Sequence, residues 1–285
     1  MTSSRHILLV TKVPMIERLT REALARLDAS GAMTMTGLRE SARRQSESLE
    51  RVRHALIGHF VRERRVHDLL VDDATHTDLV VTVGGDGTVF TANTLATNAP
   101  FLTVNSDPQG SLGHFTRAKA EDVPTLLAAW LSGTCTYDNM PRLRLRTPTT
   151  DLRVLNDALF TNMNPAAMSR YRIDDGSTSE NQRSSGVWIS TAAGSTGGIH
   201  SAGIVPVPAL EPALLFKVRE PFQAFGRLTI LEGRQLPPRG LRLTSAVPGM
   251  ALYLDGPNIT VTLAPGETVD IASAPDPLRL IARAA

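Results

Sequence analysis

The apolar positions change rhythm once along the chain, near residue 136. Before that point, short apolar runs alternate with segments of helical period. "HILLV" at the N-terminus reads as a first strand. "MIERLTREALARLD" carries Ile16, Leu19, Ala23, Leu24 and Leu27 at helical spacing, which predicts one helix. "SESLERVRHALIGHFVRERR" places Leu49, Val52, Leu56, Phe60 and Val61 on one face, predicting a longer helix that runs to Arg65. "DLVVTV" is almost continuously apolar, as a strand buried on both faces of a parallel sheet must be. A short helix is predicted after the glycines that follow, then a strand at "PFLTVNSD" and a helix at "EDVPTLLAAWLSG" ending at Gly133. Strands alternating with helices predict an α/β layered domain with right-handed crossovers.

Beyond residue 136 the apolar segments become short, alternating and separated by turn residues. "RLRLRT", "DLRVLNDALFTN", "YRIDDGS", "SGVWISTAAGS", "GRLTILEG", "GLRLTSAV" and "MALYLDGPNITVTLAPGETVDIAS" predict a mostly antiparallel β domain. Asp174–Gly176 and Asp255–Gly256 have the composition of hairpin turns. The expected division is therefore residues 1–135 and 136–267. It is marked by a change of pattern, with no low-complexity tether and no internal repeat. Two closely packed domains lead one to expect a ligand cleft between them.

Composition narrows the class. With 42% hydrophobic and 20% charged residues over 285 positions, the chain can bury a core or two. Its formal net charge is only +2, and the densest basic cluster, Arg62 to Arg65, falls in the predicted helix. A solvated helix face is the expectation there, not a nucleic-acid footprint. The single cysteine, Cys135, excludes an internal disulfide and a cysteine-based metal site, and fits a reducing compartment. The apolar run Ile7–Val10 is too short for a signal-peptide core, and no run approaches the ~20 residues that span a bilayer. A cytoplasmic protein with no membrane partner is expected.

The candidate chemistry begins at "LVVTVGGDGTVF". Gly84, Gly85 and Gly87 fall at the carboxyl end of a buried strand, where open α/β sheets bind ligands. Without side chains they let backbone N–H groups approach a phosphate, and the following helix adds its positive end. Asp86 would repel a phosphate; a magnesium ligand, a base for a hydroxyl and a helix N-cap are its three possible roles. The run is neither a GxxxxGK[ST] loop nor a GxGxxG fingerprint. Asn156 and Asp157 interrupt apolar residues, so they must find partners or face a cavity; they are either a turn or a clamp for ribose hydroxyls. Gly194-Ser195-Thr196-Gly197-Gly198 is either a flexible loop or a close-approach surface whose hydroxyls bond a nucleoside.

Gly-Gly-Asp-Gly-Thr resembles the superfamily of NAD kinases, diacylglycerol and sphingosine kinases and, more distantly, phosphofructokinases. With the Asn-Asp pair and a Gly-Ser-Thr loop followed by Ser-Ala-Gly, in that order, residues 78–256 resemble the NAD kinase family. "VNSDPQGSLGHF" looks like the pattern of its divergent, mitochondrial-type branch. The resemblance implies an α/β nucleotide-binding domain with a parallel sheet and a mostly antiparallel β domain that binds NAD. It implies a tail, here 268–285, that returns to the first domain. It implies transfer of a phosphoryl group from ATP, arriving with Mg2+, to the 2′-hydroxyl of the adenosine ribose of NAD. In that reading Gly84, Gly85, Gly87 and Thr88 hold phosphates, and Asp86 is the catalytic base and, with Gly87, touches NAD. Asn156 and Asp157 grip the ribose; Ser195, Thr196, Gly197 and Ser201 line the NAD pocket. No resident metal site is implied, and a homodimer or higher homo-oligomer is. Asp255-Gly256 resembles a late family Asp-Gly, and a structural hairpin is expected; His114 and His200 are expected to be structural or at the surface. There are two departures: Gly198 stands where the common family has a base-stacking Tyr, and Ser185 where it has Asp. A lipid kinase, or an NAD- or NADP-binding module without turnover, are the alternatives. The Gly-Ser-Thr-Gly-Gly segment is a poor lining for a lipid cleft.

Overall fold

The computed structural model describes residues 4–282 apart from 96, 225 and 258. The chain divides into two compact units, one running to Asp138 and resuming at Arg279, the other Asn139–Leu278.

The first unit carries β1 (His6–Thr11), β2 (Phe60–Arg65), β3 (Leu79–Gly84), β4 (Phe101–Asn105) and the first residues of β5 (Tyr137–Met140). Its helices are α1 (Met15–Arg18), α2 (Arg21–Ser30), α3 (Met35–Ala55), α4 (Asp86–Asn93) and α5 (Val123–Leu131). β1 pairs in parallel with β2 and β3, and β3 with β4. Every residue of β3 and β4 is buried, as their unbroken apolar runs require.

Two expectations are corrected here. The first helix is two: α1 ends at Arg18 as Leu19 turns extended, and the Thr20 side chain accepts the Ala23 N–H to cap α2. The long helix ends at Ala55, because Gly58 takes a φ of +95° that continues no helix. Phe60–Arg65 is then edge strand β2, where Phe60 stacks on His6 at 5.0 Å. The Arg62–Arg65 cluster therefore lies on a sheet edge, where charge discourages pairing with another chain. Arg62 and Arg64 flank the buried Asp73, and Arg65 pairs with Glu17.

The second unit contains β6 (Leu143–Arg146), β7 (Asp151–Val154), β8 (Asp157–Asn162), β9 (Ser169–Asp174), β10 (Ser179–Ser184) and β11 (Gly186–Thr191). α6 (Gly198–Ser201) follows, then β12 (Leu214–Arg219), β13 (Glu232–Gln235), β14 (Gly240–Ser245), β15 (Met250–Leu254), β16 (Ile259–Leu263) and β17 (Thr268–Ser273). They form two six-stranded sheets, ordered β10-β9-β14-β17-β6-β7 and β13-β12-β11-β8-β15-β16. Facing residues such as Leu145, Phe160, Tyr171, Ile189, Phe216, Leu243, Leu252 and Ile271 fill one core between them. Phe160 meets Tyr171 edge to face at 5.3 Å, so Phe160→Ala would cost ~3–5 kcal/mol.

"DLRVLNDALFTN", expected as one strand, is two: the chain leaves one sheet after Val154 and enters the other at Asp157. "GRLTILEG" is not a strand before Glu232, and β10 and β12 were not expected. The hairpin at Asp174–Gly176 is present, with Asp175 Oδ1 accepting the Ser177 and Thr178 N–H groups.

The tail returns later than residue 268. β17 belongs to the second unit, where Val269 and Ile271 enter the core, and only β18 (Leu278–Ile281) joins the first sheet, ordered β2-β1-β3-β4-β18-β5. Residues 283–285 of the expected tail lie outside the described residues. Among the described residues, no helix is long and apolar enough to cross a membrane. The architecture is an α/β unit whose sheet is parallel from β2 to β18, followed by an antiparallel β unit, as the resemblance implied.

Candidate functional site

The glycine run lies at the carboxyl end of β3 and opens α4. Its three glycines serve different ends. A Cβ on Gly84 would lie 2.0 Å from Thr88 Oγ1 and 3.0 Å from the Lys12 Cβ, so position 84 admits only glycine. A Cβ on Gly87 would meet nothing within 4 Å, which leaves that face of the turn open to a ligand. Thr88 is buried, its hydroxyl filling the space beside Gly84.

Asp86 does not cap its own helix; Gly85 stands at that position. Its Oδ2 accepts the His114 N–H at 2.8 Å and its Oδ1 the Phe115 N–H at 2.7 Å. The carboxylate thus ties the glycine turn to the loop after β4, and each oxygen keeps a lone pair for a further donor. That loop is built to hold still. Asn105 Nδ2 donates to the Ser111 carbonyl at 3.1 Å, and Asn105 Oδ1 accepts the Asp107 N–H at 3.0 Å. Asp107, buried, accepts from Arg44 Nε at 2.6 Å and Ser41 Oγ at 2.7 Å. Burial alone would push the Asp107 carboxyl up, but the Arg44 and Ser41 bonds outweigh it and hold it below the ordinary carboxylate range. His114 contributes its backbone; its ring meets Phe115 edge-on.

Beside the turn, a cavity of about 460 Å³ is lined by Thr11, Lys12, Gln45, Ser46, Arg65 and Ser106 among others. Lys12 donates its backbone N–H to Val83, and its ammonium forms no ion pair among the described residues. Gln45 is buried with Oε1 unpartnered.

In the second unit, the break between β7 and β8 holds Asn156 and Asp157. One residue organises it: Asp255, buried at the start of the β15–β16 turn with a φ of +50°. Its carboxylate accepts the N–H groups of Leu155 at 2.9 Å, Asn156 at 2.7 Å and Asp157 at 3.3 Å, while its own N–H donates to the Asp157 carbonyl. The expected hairpin is there, and it also splints the Asn-Asp pair. The Asn156 carbonyl is held from the other side by Ser190 Oγ and the Thr191 N–H. With its backbone fixed, Asn156 turns its amide, and Asp157 its carboxylate, toward Gly197: a Cβ there would lie 3.7 Å from both Asn156 Nδ2 and Asp157 Oδ2. Burial pushes the Asp157 carboxyl up to about 6, against a smaller pull down from Asn156. Burial pushes Asp255 up to about 7, and the nearby Asp157 adds to the rise.

The loop after β11 is a 3-10 turn, Ala193–Thr196, running into α6. Gly194 is obligatory, since a Cβ would fall 2.1 Å from the Asn156 carbonyl oxygen. Thr196 and Ser201 are exposed, as a pocket lining requires; Ser195 is not. Ser195 is wholly buried and its Oγ accepts the Val207 N–H at 3.1 Å, so it shapes the loop from within. His200 is exposed, with Nδ1 3.0 Å from the Ile204 carbonyl. Ser185 immediately precedes β11, and its backbone carbonyl accepts the Thr161 hydroxyl. Sequence reasoning missed Trp188, whose indole lies where a side chain on residue 198 would go; a Cβ on Gly198 would be 3.0 Å from Cζ2. Among the described residues no cluster of three or more His, Cys, Asp or Glu could hold a metal ion.

Comparison with known proteins agrees with this picture. The family model described as the ATP-NAD kinase N-terminal domain matches residues 9–135. A probable NADH kinase of Oryza sativa subsp. japonica is 31% identical over 72% of this chain and 70% of its own length. The NADH kinase of Arabidopsis thaliana is 33% identical over 69% and 70%, respectively. An NAD kinase of Methanoregula boonei is 28% identical over 90% of this chain and 92% of its own. The fold is similar to that of yeast NADH kinase complexed with NADH, with a TM-score of 0.68 at 19% identity, covering 99% of this chain and 84% of that one. It is similar also to an NAD kinase from Archaeoglobus fulgidus in complex with ATP, with a TM-score of 0.65 at 18% identity, covering 97% and 93%.

Proposed function

The chain belongs to the NAD kinase family, and from that premise we propose that it moves the γ-phosphoryl group of Mg-ATP to the 2′-hydroxyl of the adenosine ribose of NAD, giving NADP. Membership makes it a kinase of NAD(H) and displaces the lipid-kinase and turnover-free alternatives. The observation that carries the finer reading is Asp86. Its carboxylate is fixed by two backbone N–H groups beside an open glycine face, at the amino end of α4. A carboxylate so placed is a base beside a phosphate cradle.

In the proposed step the 2′-oxygen attacks the γ-phosphorus. Its proton passes to Asp86 as the bond to the β-phosphate oxygen breaks and ADP leaves with the electron pair. Such transfers depend on positioning and charge neutralisation more than on covalent help. Gly84 keeps the turn tight and Gly85 and Gly87 offer backbone N–H groups, with Thr88 as internal support. Lys12 and the 460 Å³ cavity supply charge and room for the donor. Asn156 and Asp157 hold ribose hydroxyls, with Thr196, Gly197 and Ser201 around the nucleoside. We take the working form to be a homo-oligomer, as the family resemblance implies; sedimentation velocity checks it.

The test is an end-point assay with ATP, magnesium and NAD, read as NADP, with NADH and polyphosphate run in parallel. No product from any donor and acceptor pair would overturn the reading.

A further inference from the structure

The sheet that carries Asp157 has a core face and an outer face. Along β8 and β11, Ala158, Phe160, Val187 and Ile189 point into the core. Asp157, Leu159, Trp188 and Ser190 therefore share the outer face, since side chains alternate. In the register Asp157 pairs with Ser190 and Leu159 with Trp188, which makes Trp188 the diagonal neighbour of Asp157. Diagonal neighbours on one face lie ~7–8 Å apart, within reach of an aromatic side chain. That is also about the span from a ribose to the far edge of its base.

The loop that crosses above has no side chain at two successive positions. Gly197 is beside the amide of Asn156 and the carboxylate of Asp157. Gly198 is beside the indole, where a Cβ would lie 3.0, 3.1 and 3.4 Å from Cζ2, Cη2 and Cε2 of Trp188. Gly198 is not in the left-handed backbone region, and the indole is the nearest group to a side chain there, which it would admit only by giving a few tenths of an ångström. The ring is half-buried, and the Arg219 guanidinium stands 6.0 Å from its centroid, at the outer limit of a cation–π contact. A polar clamp thus adjoins an aromatic platform.

We propose that Trp188 is the stacking surface for a flat heteroaromatic ring of the dinucleotide whose ribose Asn156 and Asp157 hold. Stacking uses the π-face that every base and the nicotinamide ring possess. This rests on the proposed function for the identity of the dinucleotide, and it explains how the chain manages with glycine at position 198: the aromatic surface comes from the strand and not from the loop.

The experiment uses the chain's two tryptophans. In full-length protein carrying Trp130→Phe, Trp188 is the sole indole, and its emission is titrated with ADP-ribose and, separately, with nicotinamide mononucleotide. Saturable quenching by ADP-ribose assigns adenine to the platform; quenching by nicotinamide mononucleotide assigns the nicotinamide ring. Unchanged emission while calorimetry registers bound NAD overturns stacking and leaves the kinase reading intact. Quenching without any NADP produced does the reverse. In kinetics, Trp188→Ala should raise the KM for NAD roughly tenfold or more, move kcat less, and leave the KM for ATP unchanged. Trp188→Phe should restore the KM to within a few fold, and Trp188→Ala with Gly198→Tyr should recover part of the loss. If Trp188→Ala and Trp188→Phe instead lower kcat and the melting temperature together at constant KM, the indole only fills space under the loop and the proposal is wrong.

Discussion

Asp255 gives the sharpest test of how the proposed ribose clamp, Asn156 and Asp157, is held. The perturbation is Asp255→Asn. In the folded chain burial pushes this carboxyl up to about 7, with Asp157 adding to the rise and the bonds from Leu155 and Asn156 opposing it. Unfolded, it titrates near ~3.9. The folded pKa lies above the unfolded one, so between these values the folded state keeps a proton that the unfolded state has released. Stability is therefore greatest at low pH and falls as pH rises through about 7, the reverse of a salt-bridged aspartate. The slope approaches ~1.4 kcal/mol per pH unit for one group, so Asp255 alone removes ~2–3 kcal/mol between pH ~5 and ~8. Asp157, raised to about 6, steepens the lower part of the fall, though less than additively because the two carboxyls interact. Asparagine keeps an oxygen for the Asn156 N–H but turns an amide donor toward its neighbours, a cost of ~1–3 kcal/mol that does not vary with pH. Urea unfolding of both proteins at pH 5, 6, 7 and 8 checks this. The stability gap should narrow by ~2–3 kcal/mol from the lowest to the highest pH. Parallel curves would refute the reasoning, because they would mean that the three N–H groups outweigh burial and the carboxylate is ionised throughout.

Asp86→Asn should lower kcat by ~10²–10⁴ with little change in the KM for NAD, measured as steady-state NADP formation. Gly84→Ala should abolish activity and lower the melting temperature, because its Cβ would overlap Thr88; Gly87→Ala, with open space around it, should keep the melting temperature and raise the KM for ATP. Gly194→Ala should destabilise the fold by ~1–3 kcal/mol and weaken NAD, since the intruding Cβ displaces the Asn156 carbonyl. Arg44→Ala should lower the melting temperature by leaving the buried Asp107 without its cation, while Arg43→Ala, which breaks only an exposed pair with Glu47, should leave it unchanged.

What the sequence made legible follows physical locality. β3 was readable because a strand covered on both faces is apolar at every position, and the turn after it because Gly84 and Gly87 answer local constraints. The helix predicted through Arg65 failed for an equally physical reason. Phe60 and Val61 continue the 3.6-residue stripe of Leu56, yet both are exposed, and the strand they form exists only through its pairing with β1. β10, "SENQRS", carried no strand signal because it is a polar edge whose buried Gln182 and Ser184 hydrogen-bond Tyr171.

At the site the same division holds, and it separates the residues proposed to face ligand from those that position them. Gly197, Asn156 and Asp157 announce themselves because glycine and paired polar residues are costly in a β unit unless something occupies the space they leave. The groups that fix them do not. Asp255 stands about 100 positions from the N–H groups it accepts, and its carboxyl would read as an ordinary turn aspartate in any local window. Trp188 reads as one more apolar strand residue until the register shows that it faces away from the core, beside Asp157. Ser195, counted among the ligand-facing hydroxyls, is turned inward to Val207, because a tight 3-10 turn cannot present consecutive residues on one side. Glycine at 198 therefore need not mean a lost function. The constraint at that point is on the space between loop and strand, which the indole of Trp188 already enters from the strand.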